Sequence, residues 1–547
     1  MNKELANART RSEVGLDYVI SSININTPFG KKRIKEKTPF FPGEEEQLRQ
    51  EYKGLYKILE FVKLNPKSSD ALLHIFMEIK DISFTILRSS KEVLSVVELF
   101  EIKSLLLKID KISKILQPKA KQDIPEKYLP INLDLLLEKL DIRNDKMETF
   151  YIYDEFSEAL REARTRKREP EASIRKEHKN QKDNIKQKYG IELTPKFEYT
   201  VSKAGAEQLR MIREIPELVQ SDEDHVSVTF SIKNTEATDR LFKEIEEATA
   251  VIEEQELLVR EELSKEIGSY ADKLLINCEK IGELDIAVSK ALYAIKTNCI
   301  IPEIVQEHII DITAGRHLQV EDMLMQKSKS YQPISVKLFA GVTCITGANM
   351  GGKTVSLKLV GLISLLTQNA FFVPCEKAVM GLSNYMQILI GDNQSIERGL
   401  SSFGSEMKVL KEILEKKKDR SIFLIDEIAS GTNPKEGFAL TKSLVEYLKK
   451  RPYISLITTH FDSIAAGGGI NNIQVVGLSG VDFEKLDEKI RKADKNERIN
   501  IIAKLMDYRL YKVTEDRKVP RDAIHIANIL GIDEEIIANA KKYLEDY

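Results

Sequence analysis

The stretch Gly347-Ala-Asn-Met-Gly-Gly-Lys-Thr354 carries the most specific chemistry in this chain. It has the spacing G-x-x-x-x-G-K-[ST], and it follows the strand-like run Val342-Thr-Cys-Ile-Thr346 and opens a helical pattern at Val355. Glycines let successive backbone N–H groups curl around phosphate oxygens without Cβ obstruction, and a helix N-terminus adds the positive end of its dipole. Lys353 would place a charge on β- and γ-phosphates, and the Thr354 hydroxyl would ligate Mg²⁺. The expected ATP-contacting set is therefore Gly347, Asn349, Gly351, Gly352, Lys353 and Thr354, with ATP and Mg²⁺ as cofactors.

Three further segments complete this chemistry. Ser421-Ile-Phe-Leu-Ile-Asp-Glu427 reads as a buried strand ending in two carboxylates, at the strand edge where open α/β sheets bind ligands. Asp426 would hold the metal, and Glu427 would act as general base on the attacking water. The bland alternative, an acidic strand end facing solvent, loses ground once the phosphate loop is in view. Ile457-Thr-Thr-His460 ends another strand and brings His460 towards the γ-phosphate or the water. Gly399-Leu-Ser-Ser-Phe-Gly-Ser-Glu-Met407 is a Ser/Gly turn entering a helix, an anion site in which Ser401 and Ser402 stand where ABC-type ATPases carry a signature acting in trans. An enzyme of that kind works only as a dimer.

The elements that must position these residues follow from hydrophobic patterning. From about Ile309 short apolar runs alternate with helices, as in a parallel α/β sheet: Val342–Thr346, Phe371–Val373, Met386–Ile390, Ile422–Ile425 and Ile454–Thr458. Residues 1–165 show three- and four-residue apolar spacing, for example Leu48, Tyr52, Leu55, Leu59 and Val62. Arg161–Gly190 holds 11 Lys/Arg against 5 Asp/Glu with few apolar residues, so it is a solvated protruding helix or a nucleic-acid-facing arm, the former favoured. Val226-Ser-Val-Thr-Phe-Ser-Ile232 alternates as a strand does, and a long acidic helix from Thr238 to about Glu266 returns to pair with the outgoing arm.

Bulk properties narrow the class. The chain has 547 residues, 42% of them apolar and 31% charged, as in a globular protein of about three or four domains. A formal net charge of −3 advertises no overall field for nucleic acid. The four cysteines, Cys278, Cys299, Cys344 and Cys375, form no pair of motif spacing and read as reduced thiols of a cytoplasmic protein. No signal peptide and no run of roughly 18–20 apolar residues is present, so no membrane partner is expected.

The motifs together resemble the MutS family. The phosphate loop, Phe372-Val-Pro374, Ser401-Ser-Phe403 with Glu406-Met407, Asp426-Glu-Ile-Ala-Ser-Gly-Thr432 and Thr459-His460 fall in that family's order. Gly315-Arg-His-Leu318 is similar to its GRHP segment with Leu in place of proline. Gly431-Thr-Asn-Pro-Lys435 resembles the loop coupling two sites, and Ile524–Gly531 resembles its small dimer-supporting helical unit. Tyr331 lies where the family places an aromatic on adenine. More weakly, Asn26-Thr-Pro-Phe-Gly-Lys-Lys-Arg33 and Leu284-Asp-Ile-Ala-Val288 resemble the opening and return of the family's core domain.

The resemblance implies an α plus α/β fold: a helical core and lever region with a short β-containing clamp, followed by an ABC-type P-loop NTPase domain. Its expected divisions are 1–165 (core), 166–235 (lever and clamp), 236–308 (returning lever and core) and 309–547 (ATPase with a C-terminal dimerisation unit). The family's mismatch-reading and connector domains, and the nuclease domain of one paralogue, have no counterpart in this sequence. Phe76-Met-Glu78 and Phe156-Ser-Glu158 match the mismatch reader by chance only. The clamp region, with Glu207, Glu214, Glu217, Asp222, Glu223 and Asp224, is poor in the cations a phosphate grip needs. Two clients follow: DNA, held by a homodimeric or MutS-like heterodimeric clamp, or an adenosylcobalamin-dependent aminomutase such as lysine 5,6-aminomutase, remodelled by a reactivase. A third reading, an ATP-binding dimer without turnover, sits poorly with the complete motifs.

Overall fold

A computed structural model describes residues 4–117, 123–347, 352–390, 402–416, 418–429, 431–465, 468–477, 507–513, 524, 527 and 531–545. The chain forms two compact units, the first from residues 1–78, 116–129 and 279–547, the second from 79–115 and 130–278.

Five helices open the first unit: α1 (Ala8–Glu13), α2 (Leu16–Ser22), α3 (Pro28–Glu36), α4 (Glu45–Leu64) and α5 (Pro66–Met77). The Thr-Pro pair is a helix start, because the Thr27 hydroxyl accepts from Gly30 N and Pro28 takes the first turn, where no N–H is needed.

The second unit carries α6 (Ser83–Arg88), α7 (Val96–Leu116), α8 (Asp134–Leu140), α9 (Glu158–Tyr189), β1 (Glu198–Ser202), α10 (Ala206–Arg213), β2 (Leu218–Glu223), β3 (Ser227–Ile232), α11 (Glu236–Ser269) and the start of α12 (Ala271–Thr297). The basic α9 and acidic α11 pack side by side, and Arg164 joins them by reaching Glu256 at 2.7 Å and Asp154 at 2.6 Å. β1, β3 and β2 form an antiparallel sheet in that order. β3 alternates between buried and half-buried positions, and Val228, Phe230 and Ile232 enter a small core with Val201 and Ile212.

Back in the first unit come β4 (Glu303–Val305), β5 (Ile309–Gly315), α13 (Leu318–Gln326), β6 (Ile334–Phe339), β7 (Gly341–Thr346), α14 (Lys353–Gln368), β8 (Lys377–Gly381), β9 (Tyr385–Leu389), α15 (Ser402–Lys416), β10 (Ser421–Ile425), α16 (Pro434–Lys449), β11 (Ile454–Thr458), α17 (Asp462–Ala465), β12 (Asn471–Gly477), β13 (Asp507–Lys512) and α18 (Glu534–Glu545). The fold is mixed α/β, with mixed sheets. A six-stranded sheet has the order β13-β12-β7-β11-β10-β9, parallel from β9 to β12 and antiparallel at β13. β9, β10 and β11 are buried along their whole length, as strands covered on both faces are.

Two expectations need correction. The sheet structure after Ile309 is not purely parallel: β5 runs antiparallel to β6 and β8 in a separate four-stranded sheet. Phe371–Val373 is no strand but makes a single bridge, Val373 to Ile300. Its backbone groups go elsewhere, Phe371 N to Leu366 O and Phe371 O to the Tyr52 hydroxyl.

Packing ties these layers around α14. Gly361 on that helix has no room for a side chain, since a Cβ would stand 2.6 Å from Val14 Cγ1 and 2.9 Å from Leu424 Cδ1. At the far end of α14, the Lys290 ammonium lies 2.9 Å from Ala370 O, and the Tyr52 hydroxyl donates to Thr367 O. The two core segments paired by resemblance do meet: Asp285 accepts from Thr27 N at 2.6 Å and from the Thr27 hydroxyl at 2.8 Å. Gly282 allows that approach, because a Cβ there would stand 3.0 Å from Phe29 C.

Candidate nucleotide-binding site

β7 delivers the chain to Gly347, whose φ of +115° is open to glycine and strained for other residues. Gly352, at φ +73°, begins α14 with no side-chain cap, so the first amides of the helix are left for another acceptor. Asn349 and Gly351 lie outside the described residues, as does Ser401; Ser402 begins α15.

Lys353 is 3% exposed, and its ammonium is held by two oxygens, Gly347 O at 3.0 Å and Glu427 Oε1 at 3.0 Å. A buried cation needs such partners. The Thr354 hydroxyl donates to Asp426 Oδ2 at 2.6 Å. The other oxygen of Asp426 accepts from the Thr458 hydroxyl at 2.6 Å. Thr458 Oγ1 accepts in turn from Glu427 N at 3.0 Å, so one hydroxyl fixes both acidic residues.

Glu427 adopts φ +44°, an arrangement that costs a non-glycine residue about 1–2 kcal/mol. Ala429, two residues on, has φ +61°, and its N–H is held at 3.0 Å by the buried Glu406 carboxylate. These contacts turn the strand end so that Glu427 Oε2 meets His460 Nε2 at 2.7 Å while Oε1 meets Lys353. Burial pushes the Glu427 carboxyl up, but His460 and Lys353 outweigh it and hold the group below its ordinary value. The structure thus brings Lys353, Thr354, Asp426, Glu427 and His460 into one hydrogen-bonded cluster from three separate segments.

Tyr331 is placed differently from that cluster. Its hydroxyl is buried beside His317, and burial pushes the phenol up to about 12. The neighbouring Gln332 bonds to β13, donating to Asp507 Oδ1 at 2.8 Å and accepting from Tyr508 N at 2.7 Å. In the Gly-Arg-His segment, His317 caps α13 and its Nε2 lies 3.1 Å from Val14 O, while Arg316 pairs with Glu321 at 2.8 Å. That segment joins elements and lies in the scaffold.

Thr458 and Glu406 went unassigned in the sequence reading. Thr458 was visible as a hydroxyl at a strand end, but only pairing in register with β7 and β10 shows which carboxylate it reaches. Glu406 sits in the motif after Phe403, and its bond to a backbone N–H more than twenty residues away has no signature in the sequence.

Geometry for magnesium rests on the donor set. A hydroxyl and a carboxylate oxygen face one another 2.6 Å apart beside a lysine, which suits a hard cation that takes its remaining ligands from phosphate and water. Among the described residues no group of three or more His, Cys, Asp or Glu side chains is placed to bind a metal alone, and no helix is long and apolar enough to cross a membrane.

The family described as MutS domain V matches residues 343–547. An endonuclease MutS2 of Clostridium botulinum is 40% identical over 207 residues, which are 37% of this chain and 26% of that protein. The endonuclease MutS2 of Fusobacterium nucleatum is 32% identical over 281 residues, 50% of this chain and 32% of that one. That of Shouchella clausii is 31% identical over 319 residues, 58% and 36% respectively. The matches thus cover 26% to 36% of these curated relatives.

Proposed function

We propose that this chain binds and hydrolyses ATP, using a dimeric clamp to act on DNA; the match of residues 343–547 to MutS domain V and the likeness to MutS2 proteins support this reading. The observation that carries the reading is the cluster of Lys353, Thr354, Asp426, Glu427 and His460 at the open edge of a parallel sheet.

In this reading the backbone of Gly347, Asn349, Gly351 and Gly352 cradles the phosphates, and Lys353 leaves Glu427 for the β- and γ-phosphate oxygens. Thr354 and Asp426 hold Mg²⁺, which when bound neutralises charge on those oxygens. Released from Lys353, the Glu427 carboxylate accepts a proton from the attacking water. The water oxygen bonds to the γ-phosphorus as the bridging P–O bond to ADP breaks. His460, 2.7 Å from Glu427, orients that carboxylate or contacts the γ-phosphate. Ser401 and Ser402 of a second subunit close on the phosphates, and Tyr331 contributes to the adenine side.

The ATPase half is tested by ATP binding. Lys353→Ala should weaken it by about 2–5 kcal/mol, since it removes one partner of a buried charge interaction. Affinity unchanged in that variant contradicts the assignment.

Support for DNA comes from the relatives being named endonucleases and from the exposed cations of α9, including Arg175, Lys176 and Lys179. The exposed Asp222, Glu223 and Asp224 favour the second reading, a protein client such as an aminomutase. Salt separates the two. Duplex DNA should be retained at low ionic strength and released steeply as salt rises, because each neutralised phosphate frees a counterion. No retention at low salt excludes DNA and leaves the reactivase.

A further inference from the structure

A groove of about 1050 Å³ opens in the first unit between α4 and β4 and shares no residue with the Lys353 cluster. β4 ends the four-stranded sheet, and Arg49 reaches it from α4 by donating to Ile304 O at 2.9 Å. The floor is apolar, with the buried Tyr52, Pro302 and Ile304 along it. Gly54 adds no side chain there, and a Cβ on it would stand 3.5 Å from the Tyr128 hydroxyl. That hydroxyl is buried and has no hydrogen-bond partner among the described residues, which leaves a donor beneath the floor without an acceptor. A space of this size exceeds the needs of one inorganic ion and stands at the upper end of ligand sites, which run to roughly 300–1,000 Å³.

Charge sits on the rim. Arg49, Lys53 and Lys57 recur every fourth residue, so they share one face of α4 at intervals of about 6 Å. Lys53 is exposed and makes no ion pair among the described residues. Lys57 pairs loosely with Glu60 at 3.7 Å, a contact that solvent leaves weak. The Glu51 carboxylate in the same wall is already held by Lys37 and Lys127. Glu46, paired with Arg49, and the exposed Glu303 interrupt the positive field, so an unbroken run of phosphates fits this rim worse than separate carboxylates do. An extended peptide sends alternate side chains to opposite faces and repeats each face about every 6.6–6.8 Å, close to the spacing of the lysines. Its carboxylates on one face meet that row while apolar side chains on the other reach the floor.

We propose that this groove binds an extended acidic segment of a partner protein, with Asp or Glu at alternate positions on Lys53 and Lys57 and apolar residues between them on Tyr52, Pro302 and Ile304. Nucleotide plays no part in this binding.

The test is binding of the full chain to an array of short synthetic peptides with Asp or Glu at every second position and Leu, Val or Phe between. Affinities of the best members are then read by fluorescence anisotropy. A control array carries Lys in place of the acids, and oligo(dT) is measured beside both. Acidic members should bind, weaken as NaCl rises because exposed ion pairs are screened, and lose about tenfold or more in affinity when Lys53→Glu is combined with Lys57→Glu. Lys53→Gln combined with Lys57→Gln keeps long side chains without the charges; it guards against loss of folding and should weaken the same peptides about threefold or more. Acidic peptides that bind no more tightly than their Lys counterparts overturn the proposal, as does unchanged affinity in both double variants. Oligo(dT) bound more tightly than any peptide, and released by the same substitutions, overturns it in favour of a single-stranded nucleic acid.

Discussion

Thr458 shows how much a single hydroxyl does here. It donates to Asp426, accepts from Glu427 N, and is buried, so it sets the angle between a candidate metal ligand and a candidate base. Thr458→Val keeps the shape and removes both bonds. Hydrogen bonds to charged groups are worth about 1.5–3 kcal/mol, so this variant should lose roughly 2 kcal/mol of stability in denaturant melts. Its turnover should fall more than its ATP affinity, because Lys353 and the loop glycines are untouched. Equal loss in both would show that Thr458 supports the fold without ordering the carboxylates. At this scale the candidate chemistry was legible in the sequence by residue type, since Lys353, Thr354, Asp426, Glu427 and His460 stand in short motifs. The Lys353–Glu427 ion pair was not, because nothing local says that two segments so far apart meet at 3.0 Å.

At the scale of elements, Glu51 on α4 joins neighbouring segments by pairing with Lys37, at 2.9 Å, and with Lys127. Burial raises this carboxyl, but the two lysines outweigh it and bring its pKa down from 4.5 to about 2. A folded-state value below the unfolded one contributes stability that is present above pH 4.5 and lost as pH falls towards 2. The stability gap between wild type and Glu51→Gln, measured by urea melts, should therefore close as pH drops through that window. A gap independent of pH would mean that the carboxylate gains nothing from its lysines. The strands at β7, β10 and β11 were legible to within a residue because each is a continuous apolar run between turn signals. Phe371–Val373 looked the same and is no strand, since apolar runs report burial and not where backbone hydrogen bonds go. β12 and β13 went unread: Asn471 and Asn472 open one, and Asp507 and Arg509 interrupt the other, so neither is a continuous apolar run.

For the whole molecule, the chain divides into two compact units. The first unit holds the residues matched by MutS domain V and the cluster around Lys353, and the second holds the paired helices α9 and α11 and the small β-sheet. The charge run on α9 reads differently once α11 lies beside it, because part of its charge is answered by Glu256. If ATP is cleaved with Glu427 as base, a Glu427→Gln variant should separate binding from hydrolysis. ATP binding and steady-state phosphate release should be measured together on that variant and on wild type. ATP should bind at least as tightly as to wild type, with turnover lowered by about a hundredfold or more. Wild-type turnover in Glu427→Gln would contradict Glu427 as the base.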